Sequence, residues 1–180
     1  YLNIDEPFTG LFTQGMVIKD GAKMSKSKGN VVIADYMAER YGTDTARLFA
    51  LFAAPPEKDL DWQDSGVEGI HRFIGRLYRF VTRHADKVRG VQPGEATGEA
   101  DRKALRKLHQ TVKRVTDDFE TRWHFNTSIA AVMQLLNELT ALEAELSPAA
   151  LAEILEKLVL LLGPFAPYLA EELWEEIGRQ

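Results

Sequence analysis

From Ser65 to Ile177 the apolar residues return every three or four positions, and this spacing constrains the fold more than any other feature of the chain. A helix turns once in 3.6 residues, so such spacing lines one face that must be buried. The first stretch carries Val67, Ile70, Ile74, Leu77, Val81 and Val88, with Phe73 and Phe80 flanking. The second carries Leu105, Leu108, Val112, Val115 and Phe119, and the third Ile129, Val132, Met133, Leu136 and Leu139. The fourth runs through Leu151, Ile154, Leu155, Leu158, Leu161 and Leu162, and the last through Leu173, Trp174 and Ile177. Helix punctuation falls between them. Ser65-x-x-Glu68 has the form of a capping box. Asn126, Thr127 or Ser128 can cap the third helix, and Ser147-Pro148 pairs a strong N-cap with a proline preset for the first turn. Gly163-Pro164 breaks the fourth helix, and the Gly- and Pro-rich stretch 90–98 is a connector. Amphipathic helices on short loops form a bundle, so residues 65–180 are expected to be an antiparallel helical bundle.

Residues 1–64 differ. Leu11 to Ile18 is expected as a strand, and Val31-Val32-Ile33 as a second short strand or an extended exit. Asp20-Gly21 is a turn signal. Helices are expected from Ala34 to Tyr41, stopped by Gly42, and then through Leu51-Phe52, capped by Thr43 or Asp44 and ended by Pro55-Pro56. This composition fits a short α/β remnant, too small to make a stable sheet alone.

Between the two expected strands lies Lys23-Met24-Ser25-Lys26-Ser27, followed by Lys28-Gly29-Asn30. Two ammonium groups three residues apart can reach one anion, and serine hydroxyls add rotatable donors. Such a loop suits a polyphosphate. The plain alternative is a solvated lysine-rich turn.

Charge is uneven along the chain. The net charge of −5 hides a basic stretch at 65–91, where Arg72, Arg76, Arg79, Arg83, Lys87 and Arg89 face only Glu68 and Asp86. Residues 138–180 carry nine acids against Lys157 and Arg179. The arginine stripe is either a nucleic-acid backbone contact or the solvated side of an amphipathic helix. The 180 residues include no cysteine, which removes disulfides and thiolate chemistry from consideration. His71, His84, His109 and His124 lack metal-ligand spacing, so no metal site is expected. Trp62 and Trp174 are expected in the core, and Asp44 and Arg47 in local roles, as a cap and as an ion pair or a brace for the loop. No apolar run spans a bilayer and no signal-peptide pattern opens the chain, so a cytoplasmic setting without a membrane partner is expected.

Lys23 to Ser27 matches the signature loop of class I aminoacyl-tRNA synthetases without substitution. Leu11 to Val17, Tyr41 to Phe49, Ala54 to Glu57, Leu60 to Gly69, Phe125 to Ala130 and Pro164 to Trp174 resemble further segments of the bacterial leucyl-tRNA synthetases. The resemblance runs from the end of a Rossmann-type catalytic domain through an anticodon-binding-type helical bundle, with the border near residue 64. The junction at 54–73 resembles the leucine type most, while a valyl- or isoleucyl-type sister and a stand-alone helical interaction module remain alternatives. The family's His-x-Gly-His type loop has no counterpart here, so the chain is expected to be an excised piece or one subunit carrying half of an ATP site and inactive alone.

The resemblance implies a reaction in two steps: activation of leucine by ATP, with Mg2+, to leucyl-adenylate, then transfer to tRNA(Leu). It implies Lys26 and Lys23 as catalytic cations, and Lys23, Met24, Ser25, Lys26 and Ser27 as the ATP-binding loop. Arg72, Arg76, Arg79 and Arg83 become candidates for tRNA contact. The implied partners are tRNA(Leu), ATP, leucine and the remaining catalytic domain of the same protein.

Overall fold

The computed structural model describes residue 3 and residues 5–179, with only the backbone of Arg122. Residues 1, 2 and 4 of the expected remnant, and residue 180, lie outside them. The described chain is mainly helical and is preceded by a small sheet, as the sequence predicts. Strand β1 (Val17–Lys19) pairs antiparallel with β2 (Ala22–Lys23) and parallel with β3 (Leu60–Asp61), giving the order β2-β1-β3. Asp20 and Gly21 turn the β1–β2 hairpin with φ of +54° and +73°, the arrangement of a type I′ turn.

The strand expected from Leu11 to Ile18 begins only at Val17, because pairing with Leu60 and Asp61 starts there. Gly15 makes that pairing possible: a Cβ on it would sit 2.1 Å from the carbonyl oxygen of Lys58. Val31 to Ile33 form no strand and leave the sheet as an extended exit.

Helices α1 (Ala34–Tyr41) and α2 (Thr43–Phe52) follow, joined at Gly42. The bundle holds α3 (Asp64–Val88), α4 (Glu99–Asp117), α5 (Phe125–Leu142), α6 (Pro148–Leu162) and α7 (Pro167–Glu176). Its core collects Leu77, Val81, Leu108, Leu135, Leu136, Leu139, Leu155 and Leu158, each fully buried. Each such side chain contributes on the order of 1.5–3 kcal/mol. A second core joins Met37 of α1 and Leu48 and Phe49 of α2 to Val67, Ile70, Ile129, Phe165 and Ala166 of the bundle. Ile74, Phe119, Met133 and Leu169 pack against both cores.

Several expected caps are placed differently. Helix α3 begins at Asp64, one residue before Ser65, and Ser65 caps nothing; the Asp64 carboxylate instead accepts from the Trp62 indole at 2.9 Å. Helix α5 has no side-chain N-cap. Thr127 and Ser128 lie inside its first turn and donate to the buried Asp118, in the π-helical segment Asp118–Arg122 that ends α4. Neither Thr43 nor Asp44 caps α2.

Ser147 does cap α6, accepting from the Ala150 amide at 3.3 Å with Pro148 in the first turn. Asp101 in turn accepts from the Ser147 amide and hydroxyl at 2.9 and 2.7 Å, and from the Thr97 amide and hydroxyl at 3.0 and 2.9 Å. Burial pushes this carboxyl up, but the Ser147 and Thr97 hydrogen bonds outweigh it and lower the pKa to about 2. A depressed carboxylate pKa stabilises the fold above the unfolded value and loses that effect as pH falls through the folded one. Asp101→Asn should therefore lower the unfolding free energy at pH 7 by about 2 kcal/mol. In urea melts, the pH-dependent part of that difference should vanish between about pH 4 and pH 2.

Candidate functional site

The lysine segment is more ordered than a plain loop. Lys23 closes strand β2, where Ile18 is its partner in register. Met24 and Ser25 continue in extended form, Lys26–Lys28 makes one 3₁₀ turn, and Gly29 leaves it with φ of +68°. Glycine adopts that backbone at no steric cost because it has no Cβ. Lys23, Lys26, Ser27 and Lys28 are exposed, while Met24 and Ser25 are half-buried. The Ser25 and Ser27 hydroxyls lie 3.2 Å apart.

Asn30 holds this segment in place. Its Oδ1 accepts from the Ser25 amide at 2.9 Å, and its Nδ2 donates to the carbonyls of Lys19 at 3.1 Å and Ala22 at 3.3 Å. One side chain thus ties the far end of the loop to both strands of the hairpin. The shape of the loop is set by backbone contacts, so its cations are not used to hold it. Among the described residues, the lysines in ion pairs are Lys19, Lys103, Lys113 and Lys157; Lys23 and Lys26 have no carboxylate partner.

A cavity of about 550 Å³ is lined by Lys19, Val32, Tyr36, Arg40, Asp64 and Glu68, among others. Neither Lys23 nor Lys26 lines it, so it is separate from the exposed cations. Among the described residues, no group of three His, Asp or Glu side chains is placed to hold a metal ion. No helix there is long and apolar enough to cross a membrane.

The four arginines of α3 divide. Arg72 and Arg79 are exposed and have no partner among the described residues. Arg76 donates to the Asn137 side chain of α5, and Arg83 lies 2.6 Å from Glu143 just past its end. Burial would raise the Glu143 carboxyl, but Arg83 and then His84 hold it below the usual range, so the Arg83 charge is met by a full anion.

A second cationic row was legible in sequence but lies between the two stretches singled out by charge. Helix α4 carries Arg102, Lys103, Arg106, Lys107, Lys113 and Arg114, with no acid between Asp101 and Asp117. Lys107 reaches Gln134 at 3.5 Å and Lys103 reaches Glu138 at 2.9 Å, both on α5. Helix α5 therefore runs between two rows of cations. Asn30 had no signal beyond its place after Gly29, because its partners are five to eleven residues upstream and come together only once the hairpin forms.

The remaining candidates have structural surroundings. Trp62 packs edge-on against Phe49 at 4.8 Å between ring centroids, and Trp174 is half-buried at the bundle core. His71 contacts the Tyr41 carbonyl at 3.2 Å, and His124 lies 3.8 Å from Glu57. Asp44 does not act locally: it is buried, and its Oδ2 accepts from the Leu169 amide of α7 at 2.7 Å.

Comparison with known proteins places these features in context. The description "tRNA synthetases class I (I, L, M and V)" matches residues 1–63, and "Anticodon-binding domain of tRNA ligase" matches residues 101–180. The leucine–tRNA ligase of Solibacter usitatus is 58% identical over 176 residues, which make up 98% of this chain and 21% of that protein. That of Thermotoga petrophila is 49% identical over 185 residues, covering 99% of this chain and 22% of that protein. The chain thus spans about a fifth of the length of these relatives. The crystal structure of the Agrobacterium radiobacter K84 agnB2 LeuRS–tRNA–LeuAMS ternary complex matches 97% of this chain and 23% of that chain, with a TM-score of 0.87 and 38% identity.

Asn30→Ala should release the Ser25 amide. In hydrogen-exchange measurements that amide should exchange about fivefold faster, the effect of losing one hydrogen bond of about 1 kcal/mol. Amides of α6 should be unchanged.

Proposed function

We infer, for a chain that belongs to the class I tRNA synthetases through the segment it shares with leucine–tRNA ligases, that it supplies the nucleotide loop and the tRNA-side bundle of a leucine–tRNA ligase. Residues 1–64 are the catalytic side of this piece and residues 65–180 the bundle. The observation that carries the reading is the pair of exposed ammonium groups at Lys23 and Lys26, without a carboxylate partner among the described residues, on a segment clasped by Asn30.

In the reaction, the leucine carboxylate oxygen attacks the α-phosphorus of ATP. The bond from that phosphorus to the β-bridging oxygen breaks, and pyrophosphate leaves with the electron pair. A hydroxyl of the terminal tRNA ribose then attacks the leucyl carbonyl, and AMP leaves. Negative charge grows on the departing pyrophosphate in the first step. Cations fixed where that charge grows stabilise the transition state more than the ground state. Lys26 and Lys23 provide them, and a donor in such a position is worth roughly 2.7–4 kcal/mol. Ser25 and Ser27 add hydroxyl donors, and Met24 is half-buried. Protonated ammonium groups have no lone pair to offer a metal, so Mg2+ would arrive on the phosphates of the ATP substrate.

The exposed apolar residues Phe8, Leu11, Phe12 and Ile33 support docking against the remaining catalytic domain. The two cationic rows flanking α5 support tRNA contact through phosphates. In that role the unpartnered Arg72 and Arg79 contribute, while Arg83 is already neutralised by Glu143.

Two measurements test the reading in the full-length protein. Lys26→Ala should slow leucine-dependent ATP–pyrophosphate exchange by about a hundredfold or more, mainly in kcat; an unchanged rate would remove the loop from the chemistry. In tRNA binding against salt, Arg72→Ala and Arg79→Ala should each lower the slope by about 1, and Arg83→Ala should leave it alone. Slopes equal to wild type for all three would make the stripe a solvent face.

A further inference from the structure

Asp44 stands on the second turn-forming residue of α2, yet its bond is made 125 residues away. The residue is 8% exposed. Its Oδ2 meets the Leu169 amide at 2.7 Å, in the first turn of α7, where helix amides lack partners and the helix dipole favours an anion. Helix α7 has no side-chain cap of its own. Asp44 therefore caps a bundle helix from outside the bundle. Leu169 is also one of the side chains packed against both hydrophobic cores.

The other end of α2 reaches the nucleotide loop by a short physical route. Phe49 packs edge-on against Trp62 at 4.8 Å, and a Cβ on Gly66 would meet the Phe49 ring at 2.8 Å, so the ring is tightly seated. The Trp62 amide donates to the Ile18 carbonyl of β1 at 2.7 Å. The next carbonyl of β1, that of Lys19, is the nearest of the three that Asn30 reaches. Helix α2 is thus fixed to α7 by one residue and to the floor of the loop by another.

We propose that Asp44 is a positioning residue for the lysine loop: by anchoring α2 to the N-terminus of α7, it sets the loop against the bundle that faces the tRNA. This rests on the reading of Lys23 to Ser27 as a nucleotide loop. The contribution is geometric. Asp44 touches no substrate; without its bond α2 shifts, and Lys23 and Lys26 lose their placement on the pyrophosphate. Small misplacements of this kind cost rate while leaving ground-state binding largely intact.

The test uses the full-length protein. Asp44→Ala should lower kcat for leucine-dependent ATP–pyrophosphate exchange about tenfold, with KM for ATP within about twofold. It should also speed exchange of the Ser25 amide by about threefold or more. Asp44→Asn, which keeps an oxygen for the Leu169 amide, should restore kcat to within about threefold of wild type. Phe49→Leu, which thins the contact at the other end of α2, should repeat the Asp44→Ala signature and serves if Asp44→Ala does not fold. Ser147→Ala removes a comparable cap from α6, and should lower the melting temperature without moving kcat or Ser25 exchange. Lys26→Ala, measured alongside, separates the two readings. If Lys26→Ala abolishes exchange while Asp44→Ala and Phe49→Leu match wild type, or match Ser147→Ala, the positioning role is overturned and the loop's role stands. If Lys26→Ala leaves exchange untouched, the proposed function itself falls.

Discussion

One asparagine side chain decides what the lysine segment can do. Asn30 accepts the Ser25 amide and donates to the Lys19 and Ala22 carbonyls, so the segment's backbone is satisfied from within. Most surface lysines near a carboxylate settle into an ion pair, as Lys103 does with Glu138 and Lys113 with Asp117. Among the described residues Lys23 and Lys26 do not, and they are not needed to hold the turn together. A fixed backbone with unspent charge is the arrangement that electrostatic stabilisation of a departing anion calls for, because little reorganisation is left for the moment of reaction.

The helical half supplies the frame for that backbone. Helices α1 and α2 share a core with α3, α5 and the segment before α7, through Leu48, Phe49, Val67, Ile70, Ile129 and Phe165. Because Ile74, Phe119, Met133 and Leu169 belong to the margins of both cores, the sheet with its loop is not an appendage on a linker. The polar contacts follow the same plan: Trp62 with Asp64, His71 with the Tyr41 carbonyl, and Asp44 with the Leu169 amide all join the sheet and the first two helices to the bundle. A cationic surface on the bundle and a cationic loop on the sheet are therefore parts of one packed body.

Much of this was legible in the sequence because it is local. The apolar spacing fixed each bundle helix, and Ser147-Pro148 marked the start of α6 because both residues act within one turn. The lysine string stood out for its charge density, and Asp20-Gly21 for its need of positive φ. What could not be read depended on partners far along the chain. Strand β1 stops short at Val17 because its parallel neighbour β3 offers only two residues. Thr127 and Ser128 look like caps, but Asp118 takes their hydroxyls once the π-helical turn brings it across. Asp44 looks like a cap for its own helix and serves another. In each case the residue's chemistry was read correctly and its partner was not, since a hydroxyl or carboxylate bonds whichever donor or acceptor the fold delivers.

The account is tested most directly by a structure of the full-length protein with a leucyl-adenylate analogue and pyrophosphate. The Lys26 ammonium should lie within about 2.9 Å of a pyrophosphate oxygen, with Lys23 close by. The Asn30 bonds to Ser25 and Lys19 should be intact. Ammonium groups at these two positions bound instead to carboxylates, with the pyrophosphate held elsewhere, would contradict it.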